Sequence, residues 1–445
     1  MTRISSFLAA AALLVMASCG GPTQQEKTEA AVLTPADTVA TEVDILELPE
    51  PYATESVTKR SRIVEWPQAT MPTVPTGFLV TQYAAGLESP RNMYVLPNGD
   101  VLVAEANTVP TGPKEEVAAA LKLDPSKSLR PTSANRITLL RDEQSNGRPE
   151  IRTVFLEGLN QPFGMLLLGG YFYVANTDGV WRYPYADGQT SITAKGQKIL
   201  DLPAGGYNNH WTRNLLASPD GKKIYISVGS ASNVGEHGMK EEERRANIIE
   251  INLDGSGEQI YASGLRNPVG MDWAPGTNVL WTAVNERDEL GDELVPDYLT
   301  SVQEGGFYGW PYSYFGQKVD PRRKGEKPEL VKTAIVPDVA LGSHTASLGL
   351  AFYTAEQFPE RYRKGAFIGQ HGSWNRTEFS GYKVVFVPFQ NGKPAGKPED
   401  FLTGFIANAE QNEVYGRPVG VTMLPNGILL VADDAGGKIW RIAAQ

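Results

Sequence analysis

One cysteine, Cys19, in 445 residues rules out an intrachain disulfide and any zinc or iron–sulfur site built from thiolates of a single chain. No Cys-x-x-Cys-His occurs, so the chain carries no covalently attached c-type haem. Basic residues are outnumbered, 41 Lys plus Arg against 51 Asp plus Glu for a net charge of −10, so a polyanion such as nucleic acid is repelled on average. After the N-terminus no run is apolar enough to cross a bilayer as a helix. What the sequence has in quantity is turn formers, 45 Gly and 31 Pro, with 41% hydrophobic and 21% charged residues. That is a globular composition, and it excludes collagen, coiled coil and wholesale disorder. The length permits two to four domains or one large closed all-β unit.

Residues 1–18 read as an export signal: Arg3, an apolar run over 7–16, then small residues at Ala17 and Ser18. The run is too short for a permanent span. Val15-Met16-Ala17-Ser18-Cys19 resembles a bacterial lipobox, which implies cleavage before Cys19 and its acylation. No Asp follows Cys19, so the expected address is the outer membrane, facing the periplasm. Residues 19–72, rich in Thr, Glu, Pro and Ala without a sustained apolar period, are expected to be a flexible tether.

The remainder, 73–445, repeats one phrase: apolar strand, tight turn, apolar strand. Copies run over 93–104 around Pro97-Asn98-Gly99, 165–175 around Gly169-Gly170, 215–228 around Pro219-Asp220-Gly221, 271–283 around Pro275-Gly276, and 421–432 around Pro425-Asn426-Gly427. Asn-Gly and Asp-Gly supply the positive φ angles that hairpin turns demand. A sixth copy runs from Leu348 through Ala366-Phe367-Ile368-Gly369, with 356–364 inserted. Several copies are followed by a third strand, such as Gly179-Val180-Trp181-Arg182-Tyr183. Six hairpins in series predict an all-β fold, a six-bladed β-propeller of four-stranded blades, with the strand at 78–83 pairing beside the last C-terminal strands.

Polar loops stand at one phase of this repeat. Tyr207-Asn208-Asn209-His210-Trp211-Thr212-Arg213 offers an imidazole that can take a proton near neutral pH. Gly264-Leu265-Arg266-Asn267-Pro268 offers a guanidinium fork. Asn285-Glu286-Arg287-Asp288 is oxygen-rich in the way that suits Ca²⁺, without EF-hand spacing. Gln370-His371-Gly372-Ser373-Trp374-Asn375-Arg376 and Gly416-Arg417-Pro418 complete the set, and Arg91 enters its strand at the same phase. Several arginines at one phase of an acidic protein point to a pocket for an anionic ligand.

Those strings, with Gly305-Gly306-Phe307-Tyr308-Gly309-Trp310-Pro311 and in this order, resemble the soluble quinoprotein glucose/sorbosone dehydrogenase family, nearer its sorbosone branch, over about 78–445. The resemblance implies oxidation of a sugar or aldehyde with pyrroloquinoline quinone and Ca²⁺, with electrons leaving to a separate cytochrome or quinone acceptor. It implies His210 as general base, Arg266 as stabiliser of the developing oxyanion, and Asn267 as a cofactor contact. Arg417, Arg376, His371 and Gln161 are expected beside the cofactor, with His344 and Trp374 as pocket walls. The backbone carbonyls of Glu286 and Arg287 are expected at the Ca²⁺. Where the glucose-oxidising branch has acidic residues this chain has Asn209 and Ser230, which argues against glucose itself. A metal-dependent lactonase or a non-catalytic carbohydrate- or partner-binding propeller are the alternatives on the same scaffold.

Overall fold

The repeated hairpins organise the chain. In the computed structural model, which describes residues 47–110, 113–121, 126 and 129–445, each of the six copies forms an antiparallel pair. The first strands are Pro90–Val95, Gly164–Leu168, Arg213–Ala217, Pro268–Trp273, Ser347–Phe352 and Pro418–Met423. Their partners are Val101–Glu105, Tyr171–Asn176, Lys223–Val228, Leu280–Val284, Gly365–Gln370 and Leu429–Asp433. The turns close as their residues require: Gly99 sits at φ +89°, with its N–H donated to the Leu96 carbonyl at 2.8 Å. Third and fourth strands extend every pair into a sheet of four or five strands. Mostly strand, with few helices and repeated four-stranded antiparallel sheets, the chain has the make-up of a β-propeller.

The first strands of successive sheets pack side by side, and Pro418–Met423 lies against Pro90–Val95 as well as Ser347–Phe352. Close approach there is a matter of glycine. A Cβ on Gly270 would stand 2.5 Å from the Leu350 nitrogen, and one on Gly420 would stand 2.7 Å from the Arg91 carbonyl oxygen. Asn92 and Asn214 stitch neighbouring first strands by donating to the carbonyls of Phe163 at 3.1 Å and Val269 at 2.9 Å. Phe163, Val269, Leu348 and Val419 then meet in one buried apolar cluster. Each belongs to the short phrase that opens a first strand, so the polar residues just before it are delivered to one end of the ring of strands.

The sheet that holds the C-terminus also holds the start of the folded body. Phe78–Ala85 pairs antiparallel with Lys438–Ala444, with Val80 opposite Ile442 and Thr81 opposite Arg441. This matches the expected closure by chain ends. The tether reading needs correction within its second half. Residues 50–64 are bound to the body as a strap: the Tyr52 N–H donates to Leu290 O (2.8 Å), Lys59 N–H to Trp374 O (2.7 Å) and Arg62 N–H to Asn412 O (2.6 Å). Arg62–Ile63 runs parallel to Glu413–Val414. The strap shows no strand period in sequence because loop carbonyls, rather than a sheet ladder, satisfy its amides. The 1–18 signal segment, Cys19 and the first part of the tether lie outside the described residues. No helix among the described residues is long and apolar enough to cross a membrane.

Candidate active site

Loops entering the first strands enclose a cavity of about 480 Å³. His210, Arg266, Asn267, His344, His371, Trp374 and Arg417 all line it, together with Arg91 and Arg60. Seven of the residues singled out in sequence, drawn from stretches more than 200 residues apart, therefore share one space.

His210 is held by its Nδ1, which lies 2.8 Å from the Ser230 carbonyl and 3.0 Å from Ser230 Oγ. Ser230 Oγ spends its own proton on the Ser232 carbonyl at 2.7 Å, and a carbonyl only accepts, so Nδ1 carries the hydrogen. Nε2 is left with its lone pair. Burial first, and then the nearby charge of Arg266, hold the His210 pKa well below the ordinary 6.5. Ser230, at a position the resemblance makes acidic, thus orients the imidazole through neutral oxygens. The loop bearing His210 is fixed from beneath by Arg213, which is fully buried and donates to the carbonyls of His210 (2.6 Å) and Pro203 (2.8 Å). Burial lowers its pKa to about 9.

Arg266 is 1% exposed and uses all three of its nitrogens within the protein. Nε donates to Asn233 O (3.1 Å), Nη1 to Glu286 O (2.6 Å), and Nη2 to Asn233 Oδ1 (3.0 Å) and Asp288 Oδ2 (3.4 Å). A planar fork held at this many points keeps one orientation. Asn267 beside it is buried, and its Oδ1 has no hydrogen-bond partner. A buried acceptor left open on a cavity wall fits a ligand donor. Gly229 makes the arrangement possible: a Cβ there would collide with Asn267 Oδ1 and stand 2.6 Å from His210 Cβ. Gly229→Ala is therefore expected to push His210 and Asn267 aside, lowering turnover about 100-fold with a stability loss of about 1–3 kcal/mol. Steady-state kinetics and a thermal melt on the same preparation check both numbers.

Across the cavity, Arg417 donates through Nε to His371 O (2.9 Å) and through Nη2 to Gly372 O (3.0 Å). His371 Nε2 meets Asp434 Oδ1 at 2.9 Å, and Arg91 pairs with the other oxygen of the same carboxylate. Burial, then the Arg417 charge, lower the His371 pKa to about 4, against the pull of Asp434. His344 differs. Burial works against its cation, but the hydrogen bond and charge of Asp288 (3.2 Å) and the Gly291 carbonyl (2.8 Å) raise its pKa overall. Arg91, Arg266 and Arg417 thus bring three guanidinium groups to one cavity, and the Nε of Arg91 is buried without a partner.

Four expected residues are not brought in. Arg376 turns to the Asp292 carbonyl and the Glu293 carboxylate. Neither Glu286 nor Arg287 lines the cavity. Arg287 is a buried staple between Glu286 (2.9 Å), Asp320 (3.2 Å) and the carbonyls of Pro311 and Ser313. The Glu286 carbonyl already accepts from Arg266, and that of Arg287 accepts from Val295 N–H at 3.4 Å. Each carbonyl accepts one hydrogen bond and has a second lone pair, and among the described residues no group of three His, Cys, Asp or Glu side chains is placed to hold a metal ion. Gln161 is buried in an adjoining recess of about 200 Å³, its Nε2 donating to Asn107 O at 2.9 Å. Sequence reasoning missed Asp434, Asn233, Asp288 and Arg213 as supports. Only Arg213, three residues after His210, carried a local signal.

Comparisons with known proteins bear on the fold and the family. An uncharacterized protein of Borreliella burgdorferi is 29% identical over 295 residues, 64% of this chain and 76% of that one. The pyrroloquinoline quinone-dependent pyranose dehydrogenase of Coprinopsis cinerea is 23% identical over 448 residues; the match covers 86% of this chain and 56% of that longer protein. Among solved structures, the Trichoderma reesei enzyme of carbohydrate-active family AA12 superimposes with a TM-score of 0.68 at 19% identity, covering 84% of this chain and 98% of that one. At these identities the structural likeness is one of fold. The TrAA12-like family model matches residues 72–304 and 319–445, and the chain belongs to that family.

Proposed function

We propose that the protein is a pyrroloquinoline quinone-dependent dehydrogenase of sugars or aldehydes. One observation carries the reading: Arg91, Arg266 and Arg417 converge on the cavity that His210 lines, in a protein whose net charge is −10. Bound there, pyrroloquinoline quinone would supply a two-electron acceptor and three carboxylates for those guanidinium groups. Arg417, Arg91 and Asn267 would hold it. His210 Nε2 takes the proton of the substrate hydroxyl, and Nδ1, tied to Ser230, keeps the ring turned for that transfer. Arg266 presents a fixed positive charge to the place where negative charge develops, with no reorganisation at the moment of reaction. Ca²⁺ would be held by the backbone carbonyls of Glu286 and Arg287, each of which has a lone pair beyond the hydrogen bond it accepts, and no step is routed through it.

The same reading takes the six sheets as six blades and the sorbosone branch as the nearer one. It places the enzyme as a lipoprotein anchored through acylated Cys19, facing the periplasm, and passing electrons to a separate acceptor. The test adds pyrroloquinoline quinone to purified protein, follows its binding by absorbance, and follows dye reduction across a panel of aldoses and aldehydes. Turnover is the expected result. Cofactor-independent lactone hydrolysis would replace the reading by a lactonase, and sugar binding without cofactor binding would replace it by a binding module.

A further inference from the structure

We propose that Arg60, carried on the strap, is a substrate-selecting residue. Its guanidinium and the exposed face of Trp374 form an outer subsite for the hydroxyl-bearing end of a sugar, remote from the reacting carbon. The proposal rests on the dehydrogenase reading above. The strap precedes the segment matched by the family model, which begins at residue 72. It nevertheless supplies two cavity residues, Arg60 and Ser61.

The backbone around Arg60 is pinned on both sides. Thr54 Oγ1 accepts the Asp292 N–H (2.7 Å), Val57 O accepts Asn375 Nδ2 (3.2 Å), and Lys59 holds Trp374 O by its N–H and Thr377 O by its Nζ (3.0 Å). Ser61 is buried, and Arg62 is bonded to Asn412. Such a frame holds the Arg60 Cα and Cβ in place beside the cavity although the side chain is itself exposed. The guanidinium carbon of Arg60 lies 5.7 Å from the centre of the Trp374 ring, and Trp374 is 37% exposed.

What sets Arg60 apart is the state of its donors. Arg91, Arg266 and Arg417 are held by carboxylates or carbonyls. Among the described residues the Arg60 guanidinium has no hydrogen-bond acceptor; its contact is the Trp374 ring. A guanidinium fork with open donors beside an indole matches a pyranose, whose hydroxyls accept hydrogen bonds while its C–H face stacks on the ring.

The test compares wild type, Arg60→Ala and Arg60→Lys by steady-state kinetics on an aldose, by cofactor titration, and by hydrogen exchange of residues 57–62 with and without aldose. Arg60→Ala is expected to raise KM about tenfold with kcat and cofactor affinity unchanged, and Arg60→Lys to recover part of the loss. Aldose is expected to slow exchange at 57–62 in the wild type and not in Arg60→Ala, while the sugar-free exchange of the strap stays the same in both. An unchanged KM, a loss confined to kcat, or a weakened cofactor affinity overturns the proposal. If the wild type shows no turnover yet aldose protects the strap through Arg60, the subsite stands and the dehydrogenase reading falls.

Discussion

Replacing His210 by Ala is expected to lower turnover by about 100- to 10,000-fold, the range for a lost general base, while cofactor binding followed by absorbance stays near wild type. The division follows from geometry. His210 is anchored through Nδ1 to Ser230, which leaves Nε2 to take a proton, and the guanidinium charge proposed to hold the cofactor comes from other residues. The same environment fixes a pH dependence. Because burial and Arg266 hold the His210 pKa below the ordinary 6.5, the neutral, proton-accepting form persists as pH falls. The acid limb of kcat/KM is therefore expected below pH 6.5. A limb above that value, or a His210→Ala enzyme of wild-type rate, would move the base elsewhere, with His371 on its Asp434 carboxylate as the next candidate.

Arg266→Met is expected to damage both chemistry and fold. Turnover should fall by about 100- to 1,000-fold, as when one fixed donor to a developing oxyanion is lost. Stability should fall by about 3–5 kcal/mol, the usual cost of removing one member of a buried charged network. The second number arises because Asn233 O, Glu286 O and Asp288 would lose their donor inside the protein. Arg266→Lys keeps the charge but cannot span the fork, so it should recover little of either loss. Denaturant melts and single-turnover reduction measured on the two variants separate the effects. An Arg266→Met protein that melts like wild type would show that the buried acceptors find other partners.

Much of this architecture was legible in the sequence because hairpins are local. Turn residues such as Pro97-Asn98-Gly99 and Pro425-Asn426-Gly427 announce their own geometry, and the apolar stretches on either side announce the strands. His210, Arg266, Asn267 and Arg417 were legible for a related reason: each stands just before a first strand, and the repeat delivers that phase to one end of the ring. The supports were not legible. Asp434 reaches His371 across 63 positions, and Asn233 reaches Asp288 across 55, with nothing in either neighbourhood to announce the pairing. Arg376 looked like a cavity residue by its distance from His371, but the loop between them turns it toward Asp292 and Glu293. The strap failed the strand test for a physical reason, since a segment bonded to loops needs no alternation of apolar and polar residues.

The pairing of Phe78–Ala85 with Lys438–Ala444 has a consequence for how the protein comes into being. Arg417 and Asp434 belong to the sheet that this pairing completes. A chain emerging from the ribosome can build its earlier hairpins one by one, but the sheet beside Arg417 and Asp434 is complete only when the final strand is released and zips onto a segment made some 350 residues before. On the proposed reading, cofactor loading would wait on the end of synthesis, and a chain cut short before Arg417 would keep His210, Arg91 and Arg266 but lose the Arg417 and Asp434 side of the cavity.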